Sequence, residues 1–168
     1  ELGLHGRASY IPAQNICVDS KWEGNTYEMW VQGKIREAVF FGANVMLTRR
    51  IYTKLGSTRL RIEDVVENMG HEPVPHMFLY HINIGFPLLD ENSEFISTSV
   101  NVLPRDEEAE KGIRHYSIFQ APTPGFEEQV FYHDMKPDDN NHVYIGIINR
   151  AFNNGQGIGI YLRYHKHQ

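Results

Sequence analysis

The sequence predicts an all-β fold, an antiparallel sandwich or barrel of short strands. Most of the chain reads as short strand-like runs, and the arm from Arg59 to Val66 shows a nearly clean half-buried alternation, the signature of a strand with one covered face. Gly, Pro, Asn and Asp punctuate these runs at close spacing, as they do between hairpin strands. No long amphipathic helix, internal repeat, low-complexity tract or linker interrupts the pattern.

Taken in order, Thr26 to Val31 and Lys34 to Phe41 flank Gln32-Gly33, which suits a two-residue hairpin. Asn44 to Lys54 and Thr58 to Asn68 flank Leu55-Gly56-Ser57, a second hairpin. In its second arm Leu60, Ile62, Asp64 and Val66 share one face, and Arg59, Arg61, Glu63 and Val65 the other. Met69 to Pro73 has turn chemistry, and an apolar strand ending near His81 comes after it. Later strands are expected at Glu94 to Asn101, Ile113 to Gln120, Gln129 to Asp134, Val143 to Asn149 and Gly157 to Tyr164. Asn153 to Gly157 supplies residues that tolerate positive φ between the last two. The acidic stretch Arg105 to Lys111 lacks an apolar stripe and reads as an exposed loop or a single short turn.

Size and charge exclude several function classes. A chain of 168 residues fits one domain and is long enough to bury roughly 70% of its unfolded surface. A net charge of −5 and a pI near 6.0 argue against a nucleic-acid footprint, which needs a basic face. No apolar run approaches the ~20 residues that span a bilayer, and no signal-peptide pattern opens the chain. The single cysteine, Cys17, rules out an internal disulfide and a Cys-rich zinc site, and is read as a small core residue. These features fit a cytoplasmic protein.

The stretch PHMFLYHINIGFPLL, Pro75 to Leu89, holds the most telling chemistry. It sets His81 at the end of an apolar strand and before a Gly85-Phe86-Pro87 turn. With His81 facing inward, Leu79 and Asn83 share its side. A His and an Asn beside large apolar groups suit an imidazole that exchanges protons near neutral pH. The plainer alternative is a core histidine satisfied by a backbone carbonyl. Two further segments stand beside it: Leu4-His5-Gly6-Arg7 near the start, and Gly125 to Asp134, which combines Glu127, Glu128, Gln129 and His133.

These segments, with WEGNTYEMWVQGKIREAVFFG, LTRRIYTKLGSTRLRIEDVVENMG and GIINRAF, resemble the aldose 1-epimerase (galactose mutarotase-like) superfamily. The similarity runs over nearly the whole chain and is nearest a bacterial branch known as a domain of unknown function. Each piece is moderately specific; their order and spacing carry the match. The resemblance sharpens the fold to a galactose mutarotase-like antiparallel β-sandwich with its sugar site on a concave sheet face. It also implies that the chain, which opens at Glu1 inside a motif and runs out after the strand to Tyr164, is a central stretch of a longer parent.

Mutarotation explains the residue types. Opening a hemiacetal ring requires a base for the anomeric hydroxyl proton and an acid for the ring oxygen, with the roles reversed on closure. The resemblance makes His81 the acid, although the motif here runs Tyr80-His81-Ile82-Asn83 where the family has Asn-His-aromatic. It makes His5 and Glu128 residues that hold sugar hydroxyls, and Arg7, Asn83 and His133 are candidates for the same role from their donors and positions. Glu128 is preferred over Glu127 because neighbouring strand residues face opposite ways and an amide comes next to it. Both acids being solvated is the competing view. No residue matches the family's catalytic glutamate, which is expected beyond Gln168.

Other residues carry plainer readings beside functional ones. Arg7 could equally serve a surface ion pair. Trp22 and Trp30 could stack on a sugar, but strand aromatics usually fill cores. Arg49 and Arg50 point to opposite faces; His133 and Asp134 could pair, though adjacent positions diverge; His71 and His142 sit in turn-like contexts. His165 and His167 share a face, yet a third metal ligand is missing, so no metal and no cofactor is expected. The expected partner is a monosaccharide or sugar derivative, not nucleic acid or membrane. Open sheet edges leave room for a homo-oligomer. A non-catalytic carbohydrate-binding sandwich is the main rival to an epimerase, and a purely structural β-domain ranks third.

Overall fold

Strand-forming sequence dominates the chain, and the computed structural model, which describes residues 5–167, is correspondingly all-β and antiparallel throughout. The chain forms two compact units, Glu1–Leu79 and Tyr80–Gln168.

The first unit is a four-stranded meander in sequence order: β1 (Gln14–Glu23), β2 (Thr26–Ala38), β3 (Asn44–Lys54) and β4 (Arg61–Asn68). A turn at Gly24-Asn25 joins β1 to β2, and Gly24 takes the positive φ of 60° that such a turn needs. The expected hairpin at Gln32-Gly33 is therefore corrected. Both residues lie inside β2, opposite Arg50 and Arg49 of β3. Gly33 is there for space: a Cβ at this position would come within 2.8 Å of Ile16 Cδ1 on β1. The second hairpin forms as expected, with β3 matching its predicted bounds and β4 starting slightly late.

β3 is the best-covered strand, and Leu47 is its buried apolar residue. Its two arginines leave on opposite faces, as alternation requires. Arg50 stacks over Trp30, 4.6 Å to the ring centroid, and meets Glu28 at 3.1 Å. Arg49 forks onto its cross-strand partner Asp64 with two hydrogen bonds of 2.8 Å. The Asp64 side chain is only 6% exposed, so this charge depends on the fork. Arg49→Met is expected to cost about 2 kcal/mol in urea denaturation, less than a fully buried pair because Arg49 is partly solvated. Arg49→Lys keeps the charge but loses the fork and should recover only part of that. Wild-type stability in Arg49→Met would show that the fork contributes nothing.

Two corrections concern coverage in this unit. Cys17 is exposed, not a core residue. Trp22 is also exposed and leans against Tyr27, 5.0 Å between ring centroids, beside a shallow cavity of about 330 Å³ lined in part by Lys54 and Leu55.

The second unit has a three-stranded sheet, β5 (Ser93–Ser97), β8 (His142–Asn149) and β9 (Ile158–His165), ordered β5-β8-β9. β6 (Ser99–Pro104) pairs with β7 (Phe131–Met135). The single strand expected from Glu94 to Asn101 thus breaks at Thr98. Its N–H bonds to Tyr144 O at 3.0 Å, on β8, while its carbonyl accepts from Lys136 N at 2.8 Å, beyond β7. One residue serves both sheets. The strand expected at Ile113 to Gln120 is replaced by turns with one isolated bridge, Glu94 to Ile118.

The acidic stretch forms a short helix, α1 (Glu107–Gly112). Asp106 caps it, accepting from Ala109 N at 3.0 Å, and Lys111 pairs with Glu108. Ala109 is fully buried, so the segment packs inward on one small residue that carries no helical stripe. Asn153, Asn154, Gly155 and Gly157 all take positive φ before β9, as their residue types predict. Val143, Met135 and Ala109 are the buried apolar residues here, joined by the buried polar side chains of Ser93 and Asn149.

Candidate functional site

The segment that carries His81 is not a strand. Residues 73–85 have no ladder partner among the described residues, so the predicted strand is corrected to an extended connection. Alternation therefore does not govern its faces. His81 and Asn83 are both exposed, as is Leu79. His5 and Arg7 belong to the first unit, while His81, Asn83, Glu128 and His133 belong to the second.

The turn C-terminal to His81 is held firmly. Leu88 N and Leu89 N both bond to Gly85 O at 3.1 Å, closing it. Asn149, at the end of β8 and 1% exposed, then ties that turn down. Its Nδ2 donates to Pro87 O at 3.1 Å and to Asp90 Oδ2 at 2.8 Å, and its Oδ1 accepts from Ala151 N at 3.1 Å. Ser93 Oγ donates to Leu88 O at 2.8 Å and accepts from Asp90 N at 2.9 Å. The Asn92 N–H, with help from Asn149 and Ser93, holds the Asp90 carboxyl below the ordinary carboxylate range.

His133 lies on the inward-facing row of β7 with Phe131 and Met135. Its Nδ1 is 2.9 Å from Ser99 Oγ, and Ser99 Oγ is 2.7 Å from Ser97 Oγ. Phe95 and Tyr116 flank the imidazole, with centroids 5.2 and 5.6 Å away. Burial among these groups pushes the His133 pKa down, because the charged form loses water. Asp134, its sequence neighbour, points the other way and meets Lys166 at 3.3 Å, so the two do not pair.

The lowered pKa fixes a sign. A histidine that is harder to protonate when folded makes the unfolded chain bind more protons between the two pKa values. Stability is then full above an unfolded pKa of about 6.5 and falls as pH drops from there toward the folded value. His133→Gln should flatten this part of a Tm-against-pH curve relative to wild type. Parallel curves would show that burial does not perturb this group.

Glu128 is not on a strand, since β7 begins at Phe131. Its side chain is 75% exposed and meets Arg105 Nη1 at 3.2 Å, so the carboxylate singled out from sequence is committed to a surface ion pair. Arg7 likewise pairs with Glu37 at 3.2 Å, ahead of a 3-10 turn at Ala8–Tyr10. His5 is exposed, and its carbonyl accepts from Ser9 Oγ at 3.2 Å. His142, His165 and His167 lie in a row, 6.2 and 5.5 Å between centroids in edge-on and tilted contacts, with Asp138 3.8 Å from His142. Among the described residues no three His, Cys, Asp or Glu side chains are placed to hold a metal ion. No described helix is long and apolar enough to cross a membrane.

Sequence reasoning missed Ser97, Ser99, Met135 and Asn149. The first two carried a faint signal, a Ser-x-Ser spacing that puts both hydroxyls on one side of an extended chain. Asn149 gave none, since nothing local distinguishes a buried amide that ties down a distant loop.

A family model described as a domain of unknown function, DUF4432, matches residues 1–168. None of the curated proteins matches the chain. Among solved structures, a crystal structure of a "putative aldose 1-epimerase" from Klebsiella pneumoniae superposes with a TM-score of 0.90 at 26% identity. The match covers 98% of this chain and 42% of that one, so the chain spans less than half the length of its structural relative. The all-β antiparallel architecture is that of the aldose 1-epimerase β-sandwich.

Proposed function

The chain belongs to the DUF4432 family, and from that membership and its fold we propose that it serves acid-base interconversion of the α and β anomers of a free aldose or related sugar. The observation that carries this reading is the superposition of nearly the whole chain on the Klebsiella pneumoniae protein. In this proposal His81 gives a proton to the ring oxygen as the hemiacetal opens, the anomeric hydroxyl proton passes to water, and both transfers reverse on closure. Asn83 and His133, in the same unit as His81, hold hydroxyls through directed donors and acceptors. Glu128 takes part only by leaving Arg105. A cytoplasmic site of action belongs to the same reading, which the exposed, unpaired Cys17 suits.

Polarimetry tests it. Freshly dissolved α-D-galactose or α-D-glucose should reach its equilibrium rotation faster with this chain than in buffer, in proportion to protein concentration. The ion pair that occupies Glu128 favours a second reading, a carbohydrate-binding module without a base. Calorimetric binding of the same sugars with no acceleration would establish the module and reject the epimerase. Neither binding nor acceleration would reject both.

A further inference from the structure

β1 is an edge of the meander, and its outer side has no strand partner among the described residues. Every residue of β1 is exposed except Ser20, which is half-buried. Its ladder with β2 is interrupted near the start by a register shift between Gln14 and Cys17, where Asn15 takes a φ of 51°. From Cys17 onward the pairing is unbroken to Glu23, and the Gly24-Asn25 turn then ends it. The regular stretch of this edge is therefore residues 17–23, with Ser20 at its midpoint.

Two copies of one antiparallel edge pair about a two-fold axis that falls on a residue, because only then do facing residues share a face. An axis on Ser20 uses the whole regular stretch, and the side chains match. Asp19 then faces Lys21 of the second copy, and Lys21 faces its Asp19, giving two opposite-charge pairs. On the other face Val18 meets Trp22 twice, and these residues are 78% and 67% exposed in the single chain. Val18 already heads a cross-strand row with Val31, Ile51 and Ile62, so Trp22 of the second copy covers its open end. Moving the axis to Lys21 would set Asp19 against Glu23, and moving it to Asp19 would set Val18 against Ser20. Charges on an edge ordinarily discourage pairing; these are spaced to permit one register. The opposite edge, β4, has no such match, since an axis at its middle sets Asp64 against itself or Glu63 against Glu67.

We propose that the β1 edge is an interface for a second copy of this chain, paired antiparallel about Ser20, which joins two meanders into one continuous sheet. Backbone hydrogen bonds along residues 17–23 hold the copies together, the Asp19–Lys21 pairs fix the register, and the Val18–Trp22 pairs remove apolar surface from water. A ribbon of this length buries less than a standard protein interface, so monomer and dimer exchange with concentration. The interface is independent of the sugar chemistry proposed above.

Sedimentation equilibrium of the full chain should show a mass that rises with concentration from 19.5 kDa toward twice that value. A mass fixed at 19.5 kDa up to the highest soluble concentration overturns the proposal. Asp19→Lys sets like charges at both pairs and should raise the dissociation constant about tenfold. Adding Lys21→Asp to it restores opposite charges in the same register and should bring the constant back to within about threefold of wild type. An Asp19→Lys variant as dimeric as wild type, or a folded double variant that does not recover, overturns the register. Cross-linking reads the axis without changing any charge. With Cys17→Ala, Ser20→Cys leaves the only thiols beside the axis, and a short bis-maleimide should join two copies covalently. In wild type the exposed Cys17 thiols would stand about 20 Å apart along the paired strands and should not be joined. No covalent dimer through Ser20→Cys, or Cys17 joined as fast, overturns the proposal.

Discussion

His81→Asn should lower the mutarotation rate by about 10²–10⁴-fold, the usual contribution of a positioned proton donor. That is about 3–5 kcal/mol of barrier. Asparagine keeps a polar side chain of similar reach but cannot deliver a proton at neutral pH. His81 is exposed and outside any strand, so the melting temperature should stay within the narrow range of surface substitutions, about 0.5 kcal/mol in stability. The pairing of lost rate with kept stability identifies a chemical role. A variant that retains the wild-type rate would remove His81 from the reaction, even if the sugar still binds.

Asn149→Ala should be the most damaging single change to the fold of the second unit, costing about 3 kcal/mol. The amide is almost fully buried and serves three partners: Pro87 O, Asp90 Oδ2 and Ala151 N. Alanine leaves a carbonyl and a carboxylate short of a donor and opens a small void where water has poor access. For a domain of this size the loss amounts to a Tm decrease of about 6–12 °C. Asn149→Asp should be worse at neutral pH, because it sets a second carboxylate against Asp90. Faster amide exchange at Leu88, Leu89 and Asn92 would accompany the loss. An unchanged Tm for Asn149→Ala would mean that solvent replaces these bonds without cost.

The strands were legible where one local rule sufficed. Asn44–Lys54 is a run of strand-forming residues without Gly or Pro that stops at Leu55-Gly56-Ser57, so its bounds could be read from the residues. Gln32-Gly33 misled because glycine has two uses, a turn that needs its φ and a strand that needs its lack of Cβ. Only the neighbouring Ile16 side chain decides between them. Thr98 is comparable: its residue type is ordinary strand chemistry, and the break comes from backbone bonds to two different partners. At the candidate site the histidines were visible as residues with fitting chemistry. Their surroundings were not, because Ser99, Met135 and His133 meet through a register shift between strands far apart in sequence.

The two units also differ in how far the chain must travel to build them, and this sets an order in time. Every strand of the β1-β2-β3-β4 sheet pairs with its sequence neighbour, so each hairpin can close as soon as its second arm exists. β5 must wait for β8, with β6, α1 and β7 synthesised between them. Each doubling of a closing loop adds about 0.6 kcal/mol of entropy cost, and non-local pairing slows folding accordingly. The meander should therefore be protected from exchange while the chain is still emerging, and the Asn149 anchor should be among the last contacts to form. Pulse-labelled amides in Asn44–Lys54 should gain protection before those in His142–Asn149.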